Sequence, residues 1–121
     1  MVEVFTYKGQ EFPLLYNHYA ERKVLNDVAE SKLRGQVVTP YEAEEFMVYY
    51  SIEAGCEFTD RPFTMKRKID GKEIDVPLTK KDVSFMLGFI QEEIDEKLKK
   101  FFPDKADLPK DEDDAGKKKN P

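Results

Sequence analysis

Phe63-Thr64-Met65-Lys66-Arg67-Lys68-Ile69-Asp70-Gly71-Lys72-Glu73-Ile74-Asp75-Val76-Pro77-Leu78-Thr79-Lys80-Lys81-Asp82-Val83 is the stretch on which the fold class turns. Phe63, Met65 and Ile69 alternate with Thr64, Lys66 and Lys68, the period of a half-buried strand. Asp70-Gly71 then marks a two-residue hairpin turn. On the return, Ile74, Val76 and Leu78 alternate with Glu73, Asp75 and Pro77. At Thr79 the period changes. A threonine followed three residues later by Asp82 is a capping-box pattern, in which side chains satisfy the free N–H groups of a helix start. A hairpin that runs straight into a helix predicts a mixed, α+β fold. One face of the hairpin reads apolar and the other charged, so it is expected to cover a helical core with one side in water.

Towards the C-terminus, the helix is predicted from Thr79 to about Phe101. Val83, Met86, Leu87, Ile90, Ile94, Leu98 and Phe101 mark its apolar face. Glu92, Glu93, Asp95 and Glu96 precede Lys97, Lys99 and Lys100, an order that suits the helix dipole. Pro103 is the stop. Residues 103–121 hold six acids, five lysines and three prolines, with only Ala106, Leu108 and Ala115 as apolar content. Such a segment cannot bury enough surface to offset its ordering entropy, so a disordered charged tail is expected there. Residues 1–102 are expected to form one small domain.

Towards the N-terminus, Thr39-Pro40-Tyr41-Glu42 is the clearest helix start in the chain. It combines a capping hydroxyl, Pro at the first helical position and Glu three residues after the cap. This helix is predicted over residues 40–54, with Ala43, Phe46, Met47, Tyr50 and Ala54 as its stripe and Gly55 as its close. An earlier helix over residues 17–33 follows from Tyr16, Tyr19 or Ala20, Val24, Leu25 and Val28, with Asn17 as N-cap and Gly35 as stop. Before it, Val2-Glu3-Val4-Phe5-Thr6-Tyr7 and Gln10-Glu11-Phe12-Pro13-Leu14-Leu15 read as a hairpin about Lys8-Gly9. Pro13 lacks an N–H, so the second strand is an edge there or ends early. The expectation is three helices and two β-hairpins.

The chain has 121 residues, 40% hydrophobic and 37% charged, with a net charge of −5. One domain is the default at this length. The acidic balance disfavours sequence-independent nucleic-acid binding, which needs a basic footprint. The single cysteine, Cys56, cannot form an internal disulfide, which fits a reducing compartment. The N-terminus shows no secretory pattern and no stretch is long enough for a membrane helix, so a soluble, cytoplasmic protein is expected.

Chemistry-bearing residues are few. His18 is the only histidine and has no partner suggested by spacing. Cys56 follows a helix end, where a thiolate is disfavoured, and reads as a small buried hydrophobe. Glu42, Glu44 and Glu45 read as first-turn acids that suit the dipole. No H-x-x-x-H, C-x-x-C, EF-hand, phosphate-loop or nucleophile-elbow pattern occurs, so no metal, no cofactor and no enzymatic activity are expected. Arg61, Lys66, Arg67 and Lys68 with Phe63 form the basic patch, and a small nucleic-acid-associated regulator using residues 61–68 is the alternative reading. The aromatic excess is the stronger signal. Tyr49 points about 100° away from Tyr50 on the same helix. Tyr41 opens that helix, and Phe85 and Phe89 are offset from the last helix's apolar face. One wide core face would account for these rings; a second apolar face would instead make Tyr41, Tyr49, Phe85 and Phe89 the candidate protein-contact residues.

Three segments resemble the tail assembly chaperones of long-tailed bacteriophages. They are Tyr7-Lys8-Gly9-Gln10-Glu11-Phe12-Pro13-Leu14-Leu15-Tyr16, the helix of residues 39–55, and the helix entry Leu78-Thr79-Lys80-Lys81-Asp82-Val83. The resemblance spans about 80 residues and lies in the order of elements; the hairpin of residues 63–76 departs from its shorter connection. It implies a non-catalytic protein in the host cytoplasm that shields apolar segments of a tape measure protein, recruits tail tube subunits and self-associates as a homo-oligomer. It also implies a longer product made by ribosomal frameshifting, for which the codons of Lys117-Lys118-Lys119-Asn120 are the place to look.

Overall fold

The structure is a computed structural model that describes residues 1–102. The tail expected at residues 103–121 lies outside the described residues. Strands β1 (Glu3–Tyr7) and β2 (Gln10–Leu14) precede α1 (His18–Leu33) and α2 (Pro40–Phe58). Strands β3 (Thr64–Ile69) and β4 (Lys72–Pro77) lead into α3 (Lys80–Leu98), which tightens into a 3-10 turn over Lys99–Phe101. Each strand pair is its own two-stranded antiparallel sheet. The α+β class, the three helices and the two hairpins are as expected from the sequence.

Both hairpins turn through two consecutive residues of positive φ. Lys8 and Gly9 stand at φ 52° and 77°, Asp70 and Gly71 at 53° and 76°. This mirror-image turn matches the right-handed twist of the strands it joins. Register follows from it. Phe5 lies opposite Phe12, and their rings stack with centroids 5.5 Å apart. Both rings are fully buried, as is Leu14. Pro13 is accommodated because β2 pairs with β1 alone and keeps a free edge.

The first hairpin packs between two helices, β2 against α2 and β1 against α3. Phe5, Phe12 and Leu14 meet Val48, Ile52 and Cys56 from α2 and Val83, Met86, Ile94 and Leu98 from α3. A smaller cluster of Ala20, Val24, Tyr50 and Ala54 holds α1 onto α2. Burying a Phe or Leu side chain stabilises by about 1.5–3 kcal/mol, so the first cluster carries most of the fold.

Three expectations need correction. The second helix does not close at Gly55 but continues to Phe58, and Asp60, with φ 56°, provides the left-handed stop. Gly55 is there because β2 crosses it; a Cβ at this position would stand 2.7 Å from the Pro13 carbonyl oxygen. The last helix is broken at Ile90, where φ −134° and ψ 37° are not helical. Gly88, two residues earlier, weakens the helix at that point. It also ends at Leu98, before the 3-10 turn.

The second hairpin, finally, does not cover a helical core. Met65 is buried beneath it, but Ile69 and Ile74 are exposed. Arg67 lies opposite Ile74, on the same face as the Met65–Val76 pair, and its charge ends the apolar face halfway along. The hairpin is anchored at its base instead. The Gln10 side chain donates to the Thr64 carbonyl at 3.1 Å and accepts from the Lys66 N–H at 2.9 Å. One amide thereby satisfies two groups on the edge of β3 and joins two sheets that share no strand ladder.

Candidate functional site

The two helix entries form as their sequences dictate. The Thr39 N–H donates to Glu42 at 3.1 Å, and the Glu42 N–H donates to the Thr39 hydroxyl at 3.2 Å. At α3 the Thr79 N–H and hydroxyl donate to Asp82 Oδ2 at 2.9 and 3.0 Å. Asp82 is only 5% exposed, and its other oxygen pairs with the guanidinium of Arg67. That carboxylate therefore both caps α3 and fixes the second hairpin against it.

Fixing the hairpin there leaves an open groove of about 540 Å³ between the tip of the first hairpin, β3 and the first three turns of α3. Tyr7 and Met65 form its apolar floor, and Phe85 and Phe89 line one side. Phe85 is 56% and Phe89 75% exposed. Lys8, Arg67 and Lys81 line it as well, so the edge is basic. The groove brings Phe85 and Phe89 together, as their four-residue spacing requires on a helix. It does not include the other two candidate contact residues. Tyr41 is exposed at the start of α2. Tyr49 is half-buried, packed edge-on against Phe63 and Tyr50 with centroids 5.1 and 5.0 Å away.

The basic residues of the alternative reading are distributed differently. Lys66 pairs with Asp75 across the hairpin at 3.1 Å, and Arg67 pairs with Asp82. Lys68 is exposed on the same strand as Lys66, and Arg61 is exposed in the preceding turn.

Two polar constellations escaped the sequence. In the first, Lys80 Nζ lies 2.8 Å from Asp27 of α1 and 5.1–5.4 Å from the ring centroids of Phe46, Tyr49 and Tyr50 of α2. The Tyr50 hydroxyl donates to the same Asp27 oxygen at 2.6 Å. Burial works to raise the Asp27 pKa, but the hydrogen bonds from Lys80 and Tyr50, with the charges of Lys80 and Lys23, outweigh it and hold it below its usual value. Burial, then the Asp27 carboxylate, pushes the Tyr50 phenol well above its usual value. A half-buried cation flanked by three rings and one carboxylate ties all three helices together.

In the second, Glu44 of α2 faces α3. Gln91 donates to it at 2.9 Å. Burial, then the neighbouring Asp95 carboxyl, raises Glu44 to a pKa of about 7. Glu44 and Asp95 line a second groove, of about 790 Å³, with Glu92, Glu96, Met47 and Phe102. Its walls are acidic, the opposite of the first groove.

Among the described residues no set of three or more His, Cys, Asp or Glu side chains is placed to hold a metal ion. No described helix is long and apolar enough to cross a membrane. Cys56 is buried, and burial raises its thiol pKa. No family model, no curated protein and no solved structure matches this chain.

Proposed function

We propose that this protein is a non-catalytic binding protein that shields an apolar helical segment of a partner protein in the groove beside Phe85 and Phe89. The single observation behind this reading is the exposure of that pair, 56% and 75%, over a floor of Tyr7 and Met65. Two phenyl rings one helical turn apart, beside a concave apolar floor, fit the helix-in-groove mode of recognition. Lone exposed apolar residues need no explanation, but two on one face that share a groove with a buried methionine form a surface with somewhere to put a side chain. The same reading agrees with the resemblance to phage tail assembly chaperones, in which the partner is the tape measure protein.

The test is binding of a 20-residue helical peptide of Leu, Ala and Gln, followed by titration calorimetry and fluorescence anisotropy. The paired substitution Phe85→Ser/Phe89→Ser removes both rings from an exposed face, so it costs the fold less than about 1 kcal/mol. Binding should fall by about tenfold or more, since an anchor ring contributes about 2 kcal/mol. Equal affinity for the substituted and wild-type proteins, with unchanged circular dichroism, rejects the groove as the binding surface.

A further inference from the structure

The groove beside Phe85 and Phe89 has a charge order as well as an apolar floor. Of the three cations that line it, Arg67 is engaged by Asp82, while Lys8 and Lys81 pair with no acid among the described residues. Lys8 Nζ stands 5.6 Å from the centroid of the Tyr7 ring, so its charge is held at the edge of the floor. Lys81, Phe85 and Phe89 follow one another at four-residue steps and form one row on α3, which ends before the break at Ile90. Phe89 also lines a second hollow, of about 440 Å³, which it shares with Glu92 and Glu93. Both acids are exposed, and neither makes an ion pair among the described residues. Along α3, free cations therefore precede the two rings and free acids follow them. We propose that the segment this groove takes is a charge-ordered amphipathic helix, acidic in its first turn, apolar in its middle and basic in its last turn, lying parallel to α3.

The occupant is selected by what each part of the face can neutralise. Acids of the client meet Lys8 and Lys81, its apolar side chains meet the rings over Tyr7 and Met65, and its bases meet Glu92 and Glu93. Exposed ion pairs are individually weak, so the order of charges discriminates rather than any one pair. A helix is most stable with acids first and bases last. The exposed face of α3 has the reverse order, so a partner that follows its own dipole matches it in parallel. A nucleic-acid backbone does not match. It carries one sign of charge along its length, and Glu92 and Glu93 repel it just past the rings. The inference rests on the proposed reading of this groove as the binding surface and names the chemistry of its client.

The test is titration calorimetry of the full chain with three peptides that share one Leu/Ala/Gln core. One is uncharged, one has two glutamates in its first turn and two lysines in its last, and one has lysines at both ends. At low salt the charge-ordered peptide should bind about tenfold more tightly than the uncharged one, and the lysine-ended peptide more weakly than the charge-ordered one. Raising the salt to about 0.5 M should remove most of the difference. A nitroxide on the first residue of the charge-ordered peptide should broaden the amide signal of Lys81 and spare those of Glu92 and Glu93. Lys8→Glu/Lys81→Glu, at two exposed positions, should invert the preference in favour of the lysine-ended peptide, with the thermal midpoint as the check on folding.

Three peptides that bind within about twofold of one another overturn the charge order and leave the groove standing as the binding surface. A nitroxide that broadens Glu92 and Glu93 instead overturns the parallel docking. A single-stranded oligothymidylate that displaces the charge-ordered peptide overturns the inference in favour of nucleic acid. If none of the peptides binds, the groove itself is rejected, and the inference with it.

Discussion

Gly55 sits where a methyl group has no room. It is inside α2, and a Cβ there would meet the Pro13 carbonyl oxygen at 2.7 Å and its carbon at 2.8 Å. Both are backbone atoms of a strand whose next residue but one, Leu15, donates its N–H to the Ser51 carbonyl at 3.0 Å. The strand cannot retreat without breaking that bond and lifting Leu14 from the core. Gly55→Ala should therefore destabilise by about 1–3 kcal/mol, although alanine is intrinsically the better helix former by about 1 kcal/mol. Urea denaturation checks it; a stabilised variant would show that the strand yields. In the sequence Gly55 reads as a helix stop, because a glycine after an apolar stripe most often has that meaning. Nothing local reveals that a strand 42 residues earlier crosses it. Arg67 is the opposite case. Its parity along β3 places a charge on the inward face, and that signal of a buried partner was readable in advance. Only the identity of the partner, Asp82, was not.

At the scale of elements, α2 and α3 meet through like-charged groups. Glu44 has its pKa raised from 4.5 to about 7, by burial first and by Asp95 second. A carboxyl raised in the folded state favours folding while it holds its proton. Its contribution is fully present below the unfolded value and is lost as pH rises through the folded one. Between pH 4.5 and about 7 this contact weakens as Glu44 ionises beside Asp95. Glu44→Gln removes the titration while keeping the side-chain shape. The thermal midpoint of the wild type should fall relative to that of Glu44→Gln across this interval, and parallel profiles would show that solvent screens the pair. The capping boxes at Thr39 and Thr79 were legible because they are written within four residues. The Glu44–Asp95 contact was not, because it depends on the crossing of two helices whose starts, Pro40 and Lys80, are remote in the chain.

Across the whole molecule, α1 is the least secured helix. It packs principally on α2 through the small cluster about Val24 and Tyr50. Lys80, reaching from α3 to Asp27 past the rings of Phe46, Tyr49 and Tyr50, is its link to the rest. Lys80→Met keeps the stem against the rings but deletes the charge and leaves Asp27 without its ion-pair partner. It should cost about 1–2 kcal/mol and speed amide exchange in α1 before the other helices. Uniform acceleration in all three helices would show instead that the domain opens as one unit. The molecule thus separates a packed body, in which the first hairpin lies between α2 and α3, from two unequal grooves, one basic-edged and apolar-floored, the other acidic.

Residues close together in the chain determined the elements. Alternation in β3 and β4, the Asp70-Gly71 turn, and the Thr39–Glu42 and Thr79–Asp82 caps are local physics, and they are sufficient for the α+β class and three helices. Tertiary structure alone decided which exposed aromatic rings share a surface. Phe85 and Phe89 acquired a groove because Arg67 pins the second hairpin to Asp82, while Tyr49 was drawn against Phe63 and Lys80. Both outcomes depend on contacts between residues remote in the chain. Side-chain period reports which face of one element turns inward, but it carries no information on what a second element brings to meet it.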